Sequence, residues 1–285
     1  MIKINSFLVV GGDLRNVELV KLLKEDEKEV FSYGMNEKES FEKIPRNIDI
    51  VVGPIPFSRD GKTINSTFSE NKILIEDFLE KIKEKILIAG NISSDVIKKA
   101  EKYNIKVIDI MKSEKLAILN TIATAEGAIE LIIKNTNTII FDSNILILGY
   151  GRVARTLAQR LKGLSKYVTC ASIKSEELAW IDALGYEKID LDDLSKSQDL
   201  LKSLANYNVI INTIPFMILD AEKLQYIRKD TLLIDLASNP GGIDESFAKN
   251  HNLKLIHALG LPGKVAPNSS AKFIKEVIYE TIKKQ

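Results

Sequence analysis

The sequence predicts an α/β protein made of two Rossmann-like, doubly wound parallel-sheet domains joined by a long helix. Three observations predict it. Short aliphatic runs alternate with stretches of helical period along the whole chain, as parallel strands with helices on both faces require. A strand–glycine–helix pattern occurs twice, at 7–16 and 145–154, and the copies align without gaps. Between the two series lies one long helical stretch, Glu114 to about Asn135, capped by Ser113. A chain of 285 residues accommodates two domains. We place residues 1–118 in a first domain on the substrate and partner side. Residues 119–285 form the linking helix and the dinucleotide-binding domain.

In order, the first series has strands near Phe7–Val10, Glu29–Tyr33, Asp49–Val52, Lys85–Ala89 and Lys106–Ile110. Helical stretches such as Leu14–Lys24 and Ser94–Tyr103 separate them. The second series has strands near Asn144–Leu148, Tyr167–Ser172, Asn208–Asn212, Leu232–Leu236 and Lys254–His257, with helices near Arg152–Leu161, Ser175–Leu184 and Ile243–Asn250. A last helix, about Asn268–Lys284, follows a loop containing Pro262 and Pro267. On the central helix, Asn120, Thr121 and Thr124 share a face. That helix is either a buried spacer or a connector lining a cleft between domains, with Asn120 and Thr124 facing substrate.

Composition narrows the function. Forty Lys and Arg against 39 Asp and Glu are interspersed, so no basic field awaits nucleic acid or anionic lipid. One cysteine fits a reducing compartment, and no apolar run approaches a membrane span of ~18–20 residues. The apolar stretch Phe7–Val10 is shorter than a signal-peptide core of ~7–15 residues. A cytoplasmic protein with a small-molecule substrate, no nucleic acid, no membrane and no metal is expected.

The segment Gly149-Tyr150-Gly151-Arg152-Val153-Ala154 is a G-x-G-x-x-A fingerprint in its required setting, after an aliphatic strand and opening a helix. Gly149 permits the tight turn, Gly151 lets the backbone approach a pyrophosphate, and Ala154 allows close helix–strand packing. The anion then meets N–H groups at the positive end of a helix dipole. In the first copy Asp13 stands where Gly151 stands in the second, and a carboxylate there repels a pyrophosphate. Asp13 and Arg15 either face a substrate or cap and decorate the first helix.

Around the next strand end, Ser172, Lys174 and Ser175 offer hydroxyls and a cation, with no acid before Glu176. That suits a 2′-phosphate, so NADP is expected, with NAD possible. Three more turns follow strand ends, where ligands sit in open parallel sheets. Thr213, Ile214 and Pro215 are placed against ribose and nicotinamide. Ser238, Asn239 and the run Gly260, Leu261, Pro262 to Lys264 are placed over the ring.

These stretches carry a family resemblance. Val9-Val-Gly-Gly-Asp-Leu-Arg15, Thr124-Ala-Glu-Gly127, Gly149-Tyr-Gly-Arg152, Asn212-Thr-Ile-Pro215, Asp235-Leu-Ala-Ser-Asn-Pro-Gly-Gly242 and Gly260-Leu-Pro-Gly-Lys-Val-Ala-Pro267 resemble the family of the dipicolinate synthase A-subunit. The resemblance implies a role in dipicolinic acid synthesis during sporulation. It implies oxidation of the dihydrodipicolinate synthase product, a dihydropyridine dicarboxylate, together with a flavoprotein-like B-subunit. The family commonly has a basic residue near the end of the second nucleotide-domain strand, and here the nearest, Lys174, is slightly displaced. An alternative reading is a cofactor-binding scaffold whose partner's flavin does the redox chemistry. A homo-oligomer is expected.

For the two substrate carboxylates the candidates are Arg15 and Arg59, with Lys264 as a point charge and Ser58 within reach of the cleft. Arg59 is also readable as part of a solvated loop. For acid–base work they are Lys264, Glu126 and His257. His257, at a strand end, is equally readable as a packed histidine. Cys170 reads as a small buried hydrophobe, Trp180 as packing, and His251 as facing water.

Overall fold

The computed structural model describes residues 4–35, 45, 47–69 and 72–284. Eleven strands among them form two all-parallel sheets. The first sheet contains β1 (Ser6–Val10), β2 (Glu29–Tyr33), β3 (Ile50–Val52), β4 (Ile86–Ala89) and β5 (Lys106–Asp109), in the order β2-β1-β3-β4-β5. The second contains β6 (Asn144–Leu148), β7 (Tyr167–Ser172), β8 (Glu187–Asp190), β9 (Val209–Asn212), β10 (Leu232–Asp235) and β11 (Lys254–His257), in the order β11-β10-β9-β6-β7-β8. Both are doubly wound orders, as the sequence predicts. The central strands are buried almost throughout, as SFLVV and NILIL require when helices cover both faces.

The α-helices are α1 (Leu14–Glu25), α2 (Ile75–Lys81), α3 (Ser94–Glu101), α4 (Glu114–Asn135), α5 (Arg152–Lys162), α6 (Ser175–Ala183), α7 (Leu191–Leu194), α8 (Gln198–Ser203), α9 (Ala221–Leu224), α10 (Glu245–Asn250), α11 (Leu261–Val265) and α12 (Pro267–Lys283). Strand β8 is not among the strands that the sequence predicts. Only Ile189 of Glu187–Asp190 is apolar and buried, because β8 is an edge strand paired with β7 alone.

The chain divides into two compact units, Met1–Asn120 with Ala266–Gln285, and Thr121–Val265. The expected boundary at 118/119 therefore misassigns the last helix. Ala271, Ile274, Val277 and Ile278 of α12 are buried in the same core as Phe7, Val9, Leu19 and Leu23 of β1 and α1. Lys275 bonds Asp26 at 2.7 Å, and Tyr279 donates to Asp26 at 2.7 Å. Helix α12 thus completes the first unit.

Helix α4 also departs from expectation. By length and composition alone it is long and apolar enough to cross a membrane. Part of its apolar surface is used within the protein: Leu116 lies in the core of the first unit, and Ala125, Ala128 and Ile132 in that of the second, whereas Ile118 and Ile133 are exposed. Cys170 is buried in the second core, and burial pushes its thiol up to about 12.

Truncating Ile278, which is fully buried, removes part of the α1–α12 seam. Ile278→Ala should cost ~2–5 kcal/mol. Urea unfolding read by circular dichroism should show the loss; a cost within ~0.5 kcal/mol would mean α12 is not part of that core.

Candidate functional site

The second unit parts its strands at one place. β6 lies between β7, the strand that follows it, and β9, so the β6–β7 crossover runs to one side of β6 and the β8–β9 crossover brings the chain back to the other. In open α/β sheets the crevice outside such carboxyl ends is where ligands bind. The glycine turn occupies that edge. The Gly149 N–H donates to Ala171 O at 2.8 Å, and Thr213 donates to Leu148 O through its N–H at 3.0 Å and its hydroxyl at 2.9 Å.

The two glycines of the turn are there for different reasons. Gly149 has φ +95°, and a Cβ on it would meet Thr213 Oγ1 at 2.5 Å and Ile214 Cγ1 at 2.9 Å. The fold itself demands glycine there. Gly151 has φ −75° and ψ −167°, which any residue adopts, and a Cβ on it meets nothing within 4 Å among the described residues. Nothing among those residues requires Gly151 to lack a side chain. A diphosphate lying against the start of α5 does require it, so these residues fit a dinucleotide. Gly151 is the N-cap of α5 and offers no side-chain cap, and the first turn holds no acidic residue. Its N-terminal dipole therefore has no anionic partner of its own within that turn.

Tyr150, expected among the cofactor contacts, does not turn its ring outward. It is 1 % exposed, lies edge-on to Tyr186 and beneath the Arg155 guanidinium, and burial pushes its phenol up to about 12. Only its backbone belongs to the turn. Arg152 and Val153 open α5, and Ser175 opens α6.

The turns after β9 and β10 converge on Asp235, which is not among the predicted site residues. It is 1 % exposed. Its Oδ1 accepts from Asn212 Nδ2 at 2.8 Å and the Ala237 N–H at 3.0 Å, and its Oδ2 from the Gly242 N–H at 2.9 Å. Asn212 Nδ2 also donates to Ile214 O at 2.9 Å, and Asn212 Oδ1 accepts from the Ile214 N–H at 3.1 Å. An aspartate ending an otherwise aliphatic strand is the signal that could have found it. Ser238, Asn239 and Pro215 are exposed at this edge, as are Ile173, Phe216, Met217 and Leu259, apolar side chains able to face a flat ring.

His257 has a carboxylate near each ring nitrogen, Asp235 at 4.0 Å from Nδ1 and Glu245 at 3.5 Å from Nε2. It is neither a core histidine nor clear of acidic neighbours. Lys264, in α11, is exposed and has no hydrogen-bond or ion-pair partner among the described residues. Gly260 is exposed, whereas Leu261 turns into the core, against Gly127 of α4, rather than over a ligand. Glu126 is not at this edge. It faces Arg160 Nε at 3.8 Å, ~12 Å along α5 from Arg152. Among the described residues no group of three or more His, Cys, Asp or Glu is arranged to hold a metal ion.

The first unit closes its own carboxyl edge. Asp13 caps α1, and Arg15, buried, gives its Nε and Nη2 to Asp13 and its Nη2 also to Ile55 O at 2.6 Å. Burial raises the Asp13 carboxyl, but the Arg15 hydrogen bonds and charge, with the Arg59 charge, outweigh it and hold it below the ordinary aspartate range. Arg15 is therefore spent on Asp13 rather than held ready for a substrate. Ser58 is likewise occupied, donating to Thr63 O at 2.6 Å within an Asp60-centred turn. Arg59 is exposed, with Nε on Asn65 Oδ1 at 3.3 Å. On α4, Asn120 ends the first unit's share, and its amide approaches Met111 Sδ at 3.9 Å. Thr124 lies in the second unit's share, one turn beyond the Thr121–Thr156 hydroxyl contact of 2.7 Å.

Residues 130–283 match the family described as alanine dehydrogenase/PNT, C-terminal domain, over more than half of the chain. The chain belongs to that family. Residues 6–111 match the N-terminal domain of the dipicolinate synthase A-subunit. The dipicolinate synthase A-subunit of Bacillus subtilis (strain 168) is 29% identical over 282 residues, 95% of this chain and 93% of that protein. The crystal structure of the dipicolinate synthase A-subunit from Bacillus halodurans is 27% identical with a TM-score of 0.86, covering 99% of this chain and 98% of that one. The resemblance seen in the motifs is borne out along the chain. A transhydrogenase from Sinorhizobium meliloti shares the fold at 13% identity, with a TM-score of 0.65 over 96% of this chain and 93% of that one. The second unit therefore has a dehydrogenase-type nucleotide-binding fold.

Two measurements separate the parts of this geometry. Gly149→Ala should lower stability by ~1–3 kcal/mol, from positive-φ strain and the Thr213 contact. Gly151→Ala should leave stability within ~0.5 kcal/mol yet weaken dinucleotide binding at least ~tenfold, read by denaturation and calorimetric titration. Equal nucleotide affinity in wild type and Gly151→Ala would remove the diphosphate from this turn. For Asp13, the lowered carboxyl adds stability that is fully present above the ordinary aspartate range and is lost as pH falls through its folded-state value. Asp13→Asn should therefore cost stability at pH 7 and much less near pH 2; a pH-independent cost would contradict the Arg15 pairing.

Proposed function

We propose that the chain is a nicotinamide-dinucleotide-dependent oxidoreductase subunit in dipicolinic acid synthesis. It oxidises the dihydrodipicolinate synthase product and acts in the cytoplasm beside a flavoprotein-like B-subunit. The observation that carries the reading is Gly151, a glycine that the fold does not need and a diphosphate does. Family membership and the likeness to the dipicolinate synthase A-subunit over 95% of the chain support the substrate class.

A bound nicotinamide supplies a hydride acceptor, and aromatisation of the ring releases one proton in addition. The chain's own groups do the rest. The amides at the start of α5 grip the diphosphate, and the Thr213–Pro215 and Ser238–Asn239 turns, locked by Asp235, fix ribose and nicotinamide. Holding reacting atoms near ~3–3.5 Å supplies much of the rate. For the proton, Glu126 is turned to Arg160, which leaves His257, whose two carboxylate neighbours favour its protonated form, with Lys264 as a cation beside it in the chain.

The test supplies dihydrodipicolinate synthase product with NAD or NADP to the chain alone and with its flavoprotein partner. Reduced nicotinamide and pyridine absorbance are followed together. Dipicolinate and reduced cofactor appearing in equal amounts support the proposal. Dipicolinate formed only with the partner, and without reduced nicotinamide, would replace it with the scaffold reading.

A further inference from the structure

The glycine turn lies at the carboxyl ends of the second unit's parallel strands. Their amino ends, along the opposite edge of the same sheet, carry an apolar surface that the nucleotide reading does not use. Ile133 near the end of α4, Ile139 and Phe141 before β6, and Leu164 and Tyr167 at the entry to β7 are between 43% and 65% exposed. The loops that hold them are bound together. The Lys166 N–H donates to Phe141 O at 3.1 Å, Ser165 Oγ donates to Ser143 O at 2.9 Å, and Tyr167 lies opposite Asn144 in the β6–β7 ladder. Ser143 Oγ donates in turn to Ile139 O at 2.9 Å and meets Thr138 Oγ1 at 3.3 Å. Ile140 packs against the core, whereas its neighbours Ile139 and Phe141 stay outside on a braced backbone. The Thr121–Thr156 and Glu126–Arg160 contacts run α4 beside α5 in the same direction. Ile133 and Leu164 therefore lie toward the same end of the two helices.

Single exposed apolar side chains are ordinary, but five in adjoining segments are not. Roughly half exposed, they present on the order of 500 Å², against ~300–600 Å² for the largest patch of a typical monomer. Two such patches face to face remove on the order of 1,000 Å² before any polar rim is counted, the size at which an interface is specific. The surrounding charges indicate what covers the patch. Lys166 Nζ lies 3.1 Å from Asp142 Oδ1 and 4.2 Å from the Phe141 ring centre, and Lys134 pairs with Glu130 on α4. Lys162 and Lys254, close by, are turned onto the carbonyls of Leu184 and Asn135. A rim of one sign would select an oppositely charged partner. A rim of paired, solvent-facing charges of both signs is complementary to itself, as a two-fold contact requires, and such surface pairs exchange partners at little cost.

We infer that this edge is a two-fold interface covered by a second copy of the chain. Lys166 of one copy meets Asp142 of the other, twice, around an apolar centre built on Phe141. β6 spans ~16 Å from its first residue to the glycine turn, so two copies pair without covering the nucleotide edge. Such pairing is independent of the proposed activity.

Sedimentation velocity of the full chain over ~1–100 μM tests it. Wild type should dimerise within that range. Phe141→Glu should weaken the dimer at least ~tenfold by placing a charge at the centre of the contact. Lys166→Glu and Asp142→Lys, each alone, set like charges against one another and should also weaken it. Mixed in equal amounts, these two variants carry opposite patches and should associate again, a recovery that misfolding does not produce. A wild type that stays monomeric at ~100 μM, a dimer indifferent to all three substitutions, or association only with the flavoprotein-like subunit overturns the inference. So does a mixture that fails to recover. If Phe141→Glu does not fold, the mixing experiment decides alone.

Discussion

A buried carboxylate holds the working edge of the second unit together. Asp235 is made tolerable in the interior by three N–H donors, from Asn212, Ala237 and Gly242. Those donors belong to two different turns, so the loops after β9 and β10 are bound to a single point. Asn212 adds its own clamp on Ile214, whose side chain abuts Gly149. Through that chain of contacts the glycine turn, the Thr213–Pro215 turn and the 237–242 loop share one geometry.

The two units repeat a topological device and use it differently. Each parts its strands beside the first strand of its sheet, and each follows that strand with a glycine turn and a helix. In the first unit Asp13 caps the helix and is itself covered by Arg15, so the crevice is filled from within. In the second, Gly151 leaves open space at the same step. One residue type separates a self-satisfied edge from one able to take an anion.

Most of the architecture was legible because a parallel sheet covered on both faces writes its strands as unbroken aliphatic runs. β8 was not, since an edge strand buries only Ile189. Helix α12 was visible as a helix but not as part of the first unit, because periodicity marks a buried face without naming its partner. At the site, the tight turn at Gly149 was legible, because its positive φ needs glycine. Tyr150, Leu261 and Glu126 were not, since a motif fixes where a backbone goes and leaves the side chain free to point inward or to a neighbouring helix. Ser172 and Lys174 were not legible as partners of Glu177, because a helix start returns a side chain to a strand end that lies five positions back in the chain.

The passage of the chain out of the first unit at Asn120 and back at Ala266 makes the second unit an insertion. During synthesis every residue of the inserted part is joined to the chain before α12 is made. The unit begun first is thus the one finished last: β1 and α1 wait, with one side of their core uncovered, until the closing helix arrives from the far end of the polypeptide.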